Sequence, residues 1–126
     1  MTSILAHRGA SADHPENTLR AIRRALLDAP VAQGFECDVR LSSDGVAMVF
    51  HDDETTRLTG QSGTIESRTV DALGALQVSG EPIPTLSALL AMLDTLTTGP
   101  LLINIELKPT GHADPLIAAC REDLDA

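Results

Sequence analysis

The chain has 126 residues, an ordinary length for one domain, and its 43% hydrophobic and 21% charged residues are the balance of a globular protein. Eighteen acidic against nine basic residues give a formal charge of −9. That charge argues against a nucleic-acid or anionic-membrane partner, and an anionic substrate would need a local cation or metal. No apolar run approaches the ~20 residues that span a bilayer. The first motif, at His7, leaves no room for a cleavable leader before it. Cys37 and Cys120 lie far apart with no CxxC, which predicts reduced thiols and a cytoplasmic location.

In chain order, SILAH (Ser3 to His7) is a short apolar run ending in an imidazole, the pattern of a buried strand with a polar residue at its carboxyl end. A polar loop, RGASADHPEN, follows. TLRAIRRALLDA then predicts a helix with Leu19, Ile22, Leu26 and Leu27 inward and Arg20, Arg23 and Arg24 outward, capped by Asn17 or Thr18. FECD and VAMVFHD read as the second and third strands, separated by VRLSSDG. A weaker segment has Gly60 and Gly63 in loops and a short helix near Val70–Leu76. PTLSALLAMLDTL is an amphipathic helix with the stripe Leu86, Leu89, Leu90 and Leu93, Thr85 as cap, and Gly99–Pro100 as its stop. LLINIELK is the fourth strand, and a last helix begins near Asp114. Alternating strands and helices predict parallel βαβ units.

One connection is different. Asp38 and Val46 are too close for a crossover helix, which takes a dozen or more residues. Val39–Ser43 is therefore expected to run back in extended form and turn at Asp44-Gly45, a favoured hairpin dipeptide. Counting outward from that turn pairs Ser43 with Val46, Arg40 with Val49, and Asp38 with His51.

The chemistry gathers at the strand ends. Glu36 and Asp38, two apart on a strand, point to one face, and Glu106 and Lys108 repeat that spacing on the fourth strand. Carboxylates crowded together repel unless a hard cation sits among them, and an all-oxygen set suits Mg2+ or Ca2+ rather than zinc. His7 and His51 supply imidazole, the side chain most used for proton transfer near neutral pH. Arg8 and Lys108 are donors suited to holding phosphate. Cys37, between Glu36 and Asp38, is expected on the opposite face as an inert thiol packed on a helix. His14 and His112 read as surface residues.

Taken together, HRGASADHPENT, ECDVRLSSDG, VAMVFHDD and NIELKP, in this order and spacing, resemble the glycerophosphodiester phosphodiesterases from His7 to Pro109. The resemblance implies a TIM-type (β/α) barrel that hydrolyses glycerophosphodiesters to sn-glycerol 3-phosphate and an alcohol. It makes His7 and His51 the catalytic pair, and Glu36, Asp38 and Glu106 the ligands of a divalent metal, Mg2+ or Ca2+. Arg8 and Lys108 become the phosphate-binding cations, and Glu16 and Asn17 support the site.

A closed (β/α)8 barrel takes about 200–250 residues, whereas about four strand–helix units are expected in residues 1–126, the N-terminal half of one such domain. The chain is also poor in aromatics, with two Phe and no Trp or Tyr. Half a barrel leaves apolar strand edges open to self-association. Three origins follow: part of a longer protein, a truncated product, or a half-barrel closed by a second copy. A non-catalytic remnant that binds metal or a phosphate ligand is the alternative function.

Overall fold

The computed structural model describes residues 3–28, 33–96, 100–111 and 113–126. The readings of His112 as a surface residue and of Gly99 as a helix stop lie outside them. In chain order the elements are β1 (Leu5–His7), α1 (Leu19–Asp28), β2 (Gly34–Leu41), β3 (Ala47–Val49), α2 (Thr56–Thr59), α3 (Val70–Gly74), β4 (Gln77–Val78), β5 (Glu81–Pro82), α4 (Leu86–Leu96), β6 (Leu102–Leu107) and α5 (Asp114–Asp125).

The main sheet is built around β2, which is buried along most of its length. On one edge it pairs in parallel with β6, from Gly34↔Leu102 to Val39↔Leu107. Its first three residues also pair in parallel with β1, from Leu5↔Gly34 to His7↔Glu36. Val39 pairs with both Leu107 of β6 and Val49 of β3. Strands β1 and β3 therefore share the other edge of β2, β1 parallel and β3 antiparallel. The strand alternation places Phe35, Cys37 and Val39 on one face of β2 and Glu36 and Asp38 on the other. Phe35, Cys37 and Val39 join Ile22, Leu86, Leu89, Leu93, Leu116 and Cys120 in the main core, where α1, α4 and α5 cover the sheet.

Helices α1, α3, α4 and α5 start where the sequence predicts, and the single turn α2 is one it does not predict. The Thr18 hydroxyl accepts from Ala21 N at 3.1 Å and the Thr85 hydroxyl from Ala88 N at 3.0 Å, caps worth about 1 kcal/mol each. Leu86, Leu89 and Leu93 are buried as expected. In α1 the buried face is Ala21, Ile22 and Ala25, while Leu27 is 54% exposed. Leu27 is five residues beyond Ile22, which at 3.6 residues per turn rotates it off that face. Cys37 is fully buried and both cysteines are free thiols. Burial, the largest effect, pushes the Cys37 thiol up to about 12.

Two expectations are corrected. Strand β2 does not reverse after Asp38 but continues straight to Leu41, and the loop beyond it has three residues rather than two. Ser42 N donates to Val46 O at 2.9 Å, Gly45 N donates to Ser42 O at 3.1 Å, and Gly45 has φ 83°. This is a turn closed by a left-handed glycine, and the extra residue slips the register by one: Arg40 faces Met48, and Phe50 N donates to Asp38 O at 2.9 Å. Phe50, not His51, is the neighbour of Asp38. With β3 as the antiparallel arm of this hairpin, the four-stranded sheet has three strands that run parallel, β1, β2 and β6, and one that runs against them.

The stretch from β3 to α4 encloses a second core of Met48, Phe50, Ile65, Leu73, Val78 and Ile83. It contains α2, α3 and the β4–β5 hairpin, which turns through Ser79 (φ 50°) and Gly80 (φ 85°). Among the described residues the sheet is not closed: β1 and β6 pair with β2 and with no other strand. Ile4, just before β1, and Leu102, at the start of β6, remain about half exposed. Among the described residues no helix is long and apolar enough to cross a membrane.

Candidate active site

Register brings the acids together. Asp38 is the partner of Glu106, Glu36 of Asn104, and His7 of Glu36. Neighbouring strands are about 4.8 Å apart, so these side chains rise from one patch of the sheet face that carries no helix. One carboxylate oxygen from each of Glu36, Asp38 and Glu106 lies within 4.8 Å of the others. Glu36 and Asp38 are buried and Glu106 is exposed at the rim.

The loop after β1 folds back over Asp38. Asn17 Nδ2 donates to Asp38 Oδ2 at 3.0 Å, and Asp38 N donates to Asn17 Oδ1 at 3.3 Å. Asn17 N donates to Arg8 O at 2.9 Å, and both residues have φ 57°. Asn tolerates that left-handed conformation, whereas for Arg8 it is a local strain held by its surroundings. Arg8 Nη1 donates to both Glu16 oxygens at 3.2 Å, and Arg8 Nε lies 3.3 Å from Asp38 Oδ2. Glu16 and Asn17 are thus a brace: one holds Arg8, the other holds Asp38.

At the other side of the patch, Lys108 Nζ lies 2.7 Å from Glu106 Oε1. That ammonium, with a smaller contribution from His51, holds the Glu106 carboxyl below its ordinary range. His51 Nδ1 lies 2.7 Å from Asp52 Oδ1. Asp52 is held at about 2, first by the Arg57 guanidinium and then by His51. An ionised carboxylate only accepts, so Nδ1 is the donor of this pair, which in a neutral imidazole leaves Nε2 as the acceptor.

Four residues of this site are not singled out by the sequence, although Arg40, Asp52 and Asn104 lie within the quoted blocks. Arg40 donates from Nε to His51 O at 2.7 Å and from Nη1 to Lys108 O at 3.1 Å, tying together two chain segments that bear site residues. Asp52 orients His51. Arg57 bonds both Asp52 and Glu16. Asn104 faces Glu36 from β6 and could have been found by counting two residues back from Glu106. His14 is half-buried and its side chain takes no part in the site.

The acid cluster fits a hard cation. Glu36 Oε1 and Asp38 Oδ1 are buried without a hydrogen-bond partner among the described residues, and such orphans cost about 1–3 kcal/mol each or more when charged. Burial, helped by the Asp38 charge, pushes Glu36 up to about 7. A protonated Glu36 therefore favours the metal-free fold. That contribution is complete below about 4.5 and is lost as pH rises through about 7. Metal binding has the opposite sign because ligation needs the carboxylate. Calorimetric affinity for Mg2+ or Ca2+ is expected to rise about tenfold per pH unit up to about pH 7 and then level off, with nearly one proton released per ion below that point. Glu36→Gln should remove the slope together with most of the affinity.

Comparison with known proteins gives the family. The model of the glycerophosphoryl diester phosphodiesterase family matches residues 7–117. The chain belongs to that family. A phosphodiesterase from Oleispira antarctica, solved with the product sn-glycerol-3-phosphate, superposes with a TM-score of 0.88 at 34% identity, covering 99% of this chain and 52% of that one. The glycerophosphodiester phosphodiesterase of Thermotoga maritima gives a TM-score of 0.77 at 33% identity, covering 99% of this chain and 50% of that one. A glycerophosphodiester phosphodiesterase of Caldanaerobacter subterraneus is 34% identical over 134 residues, 96% of this chain and 53% of its own length. The chain thus spans about half the length of these family members, which carry the barrel fold that the β1-β2-β6 sheet begins.

Proposed function

We propose that this chain carries the catalytic half of a metal-dependent glycerophosphodiester phosphodiesterase, which releases sn-glycerol 3-phosphate and an alcohol. The observation that carries this reading is the meeting of Glu36, Asp38 and Glu106 on the helix-free face, with two buried oxygens unpartnered among the described residues. The sn-glycerol-3-phosphate held by the Oleispira relative supports the substrate class.

In this reading Glu36, Asp38 and Glu106 hold Mg2+ or Ca2+, which when bound offsets the charge of the phosphodiester. Lys108 and Arg8 bind phosphate oxygens, Lys108 with the donors not used on Glu106. His51, its Nδ1 proton committed to Asp52, presents Nε2 to take or give a proton, and His7 does the complementary transfer. Glu16 and Asn17 keep Arg8 and Asp38 in place. The buried, unpaired thiols Cys37 and Cys120 suit a cytoplasmic protein.

The test is release of sn-glycerol 3-phosphate from glycerophosphocholine by the purified chain, with and without Mg2+ or Ca2+. No release with any divalent metal, from the chain in a complete barrel, would sink the reading. A second reading concerns closure, because β1 and β6 leave their outer edges unpaired among the described residues. Two copies supply six parallel strands, two short of eight, so complementary strand–helix units complete the site better than self-pairing does. Mass in solution separates these: a monomer that gains activity with a complementary half supports the first, an active dimer the second.

A further inference from the structure

Beyond the metal cluster lies a second group able to gather a cation, Glu16, His51 and Asp52. Here the cation is built in. Arg57, on the single-turn helix α2, donates from Nε to Asp52 Oδ2 at 2.7 Å and from Nη2 to Asp52 Oδ1 at 3.0 Å. It also donates from Nη2 to Glu16 Oε1 at 2.6 Å and from Nη1 to Glu16 Oε2 at 3.4 Å. These bonds use most of its five N–H donors, leaving little to offer a phosphate.

The two carboxylates it joins each do a further task. Asp52 accepts from His51 Nδ1, and Glu16 accepts from Arg8, which lies against Asp38. The guanidinium therefore links the loop before α1 to the loop after β3, across 41 residues of sequence. Its side chain is half exposed, and ion pairs so exposed contribute little to stability. A planar fork gripping two carboxylates at fixed angles sets orientation instead.

We propose that Arg57 is a positioning residue, which holds Asp52 so that the His51 imidazole keeps its proton on Nδ1 and presents Nε2 to the site, and which couples that setting to the Glu16–Arg8 brace. Its catalytic importance rests on the role proposed for His51; the alignment itself does not. Without Arg57, Glu16 and Asp52 lose the charge that lets them share one place, and Asp52 is free to swing away. Lysine cannot replace it fully, since an ammonium is a point donor without the fork.

Nitrogen NMR of the full chain, metal-free and with His side chains labelled, reads the proposal directly. The native protein should show His51 almost wholly as the Nδ1–H tautomer. Arg57→Ala should give a mixture of both tautomers, and Arg57→Lys a ratio between the two, with Tm moved by less than about 5 °C. In a barrel that turns over substrate, Arg57→Ala should lower kcat roughly 10–100-fold with little change in KM. An unchanged tautomer ratio in folded Arg57→Ala overturns the proposal. If that variant does not fold, Arg57→Gln takes its place, and a native ratio there overturns it equally. A chain that hydrolyses nothing leaves the tautomer measurement intact, so the two readings fail separately.

Discussion

Replacing His7 or His51 by alanine is expected to lower the rate of glycerophosphodiester hydrolysis roughly 10²–10⁴-fold while leaving the fold and metal binding close to native. The separation of effects follows from where the imidazoles sit. The His7 side chain is exposed and that of His51 is 30% exposed, so truncation opens no cavity in either core. Neither belongs to the Glu36, Asp38 and Glu106 cluster. Calorimetry with Mg2+ or Ca2+ should thus return near-native affinity for both variants, while the rate of product release collapses. Glu36→Gln is the contrasting control, losing metal first and rate as a consequence. If either histidine variant kept more than about a tenth of the native rate, that histidine would not be a proton-transfer group.

Gly34→Ala is the second large effect, and it acts on the fold. A Cβ on Gly34 would lie 1.7 Å from Leu102 O and 2.7 Å from Leu102 C. Extra atoms pressed against movable side chains cost about 1–3 kcal/mol. Here the obstacle is backbone, and it belongs to the register partner of Gly34 in β6. Relief requires prising β6 away from β2 at that end, so the cost should exceed about 3 kcal/mol, a large part of the 5–15 kcal/mol that holds a domain together. Thermal unfolding should show Tm lowered by roughly 10 °C or more. Surviving folded protein should also bind metal more weakly, because Glu106 rides on β6 while Glu36 and Asp38 ride on β2. A native Tm in this variant would mean that the β2–β6 pairing is wrong.

Features with local causes were legible in the sequence. The alternation in FECD separates Cys37 from Glu36 and Asp38, and the i, i+2 pairs Glu36/Asp38 and Glu106/Lys108 on two strands locate the cluster that register then assembles. Thr18 and Thr85 cap helices because their hydroxyls reach donors three residues on. Where one residue decides, the sequence misled: a three-residue loop and a two-residue loop both contain Asp44-Gly45, yet only one places Phe50 beside Asp38. Strands β4 and β5 have two residues each, too short to show any period. Arg40 and Arg57 were invisible for another reason. Their partners lie as far as 68 and 41 residues away, and an arginine that binds distant oxygens leaves no pattern around itself.

Strand β1 is only three residues long, and β2 explains why. Beyond Glu36, the edge of β2 that β1 occupies is taken by the incoming end of the hairpin, with Phe50 N bonded to Asp38 O. Two chain segments running in opposite directions thus stop nose to nose on one ladder, His7 at the tip of one and His51 one residue past the tip of the other. The gap between the tips is counted in residues of β2, about 3.3 Å each, and no side-chain substitution alters it. An inserted residue between Glu36 and Asp38 would widen it by one step and turn Asp38 to the opposite face. The strand is a ruler: it sets the spacing of the histidine-bearing ends by backbone count, leaving side chains only the fine aim.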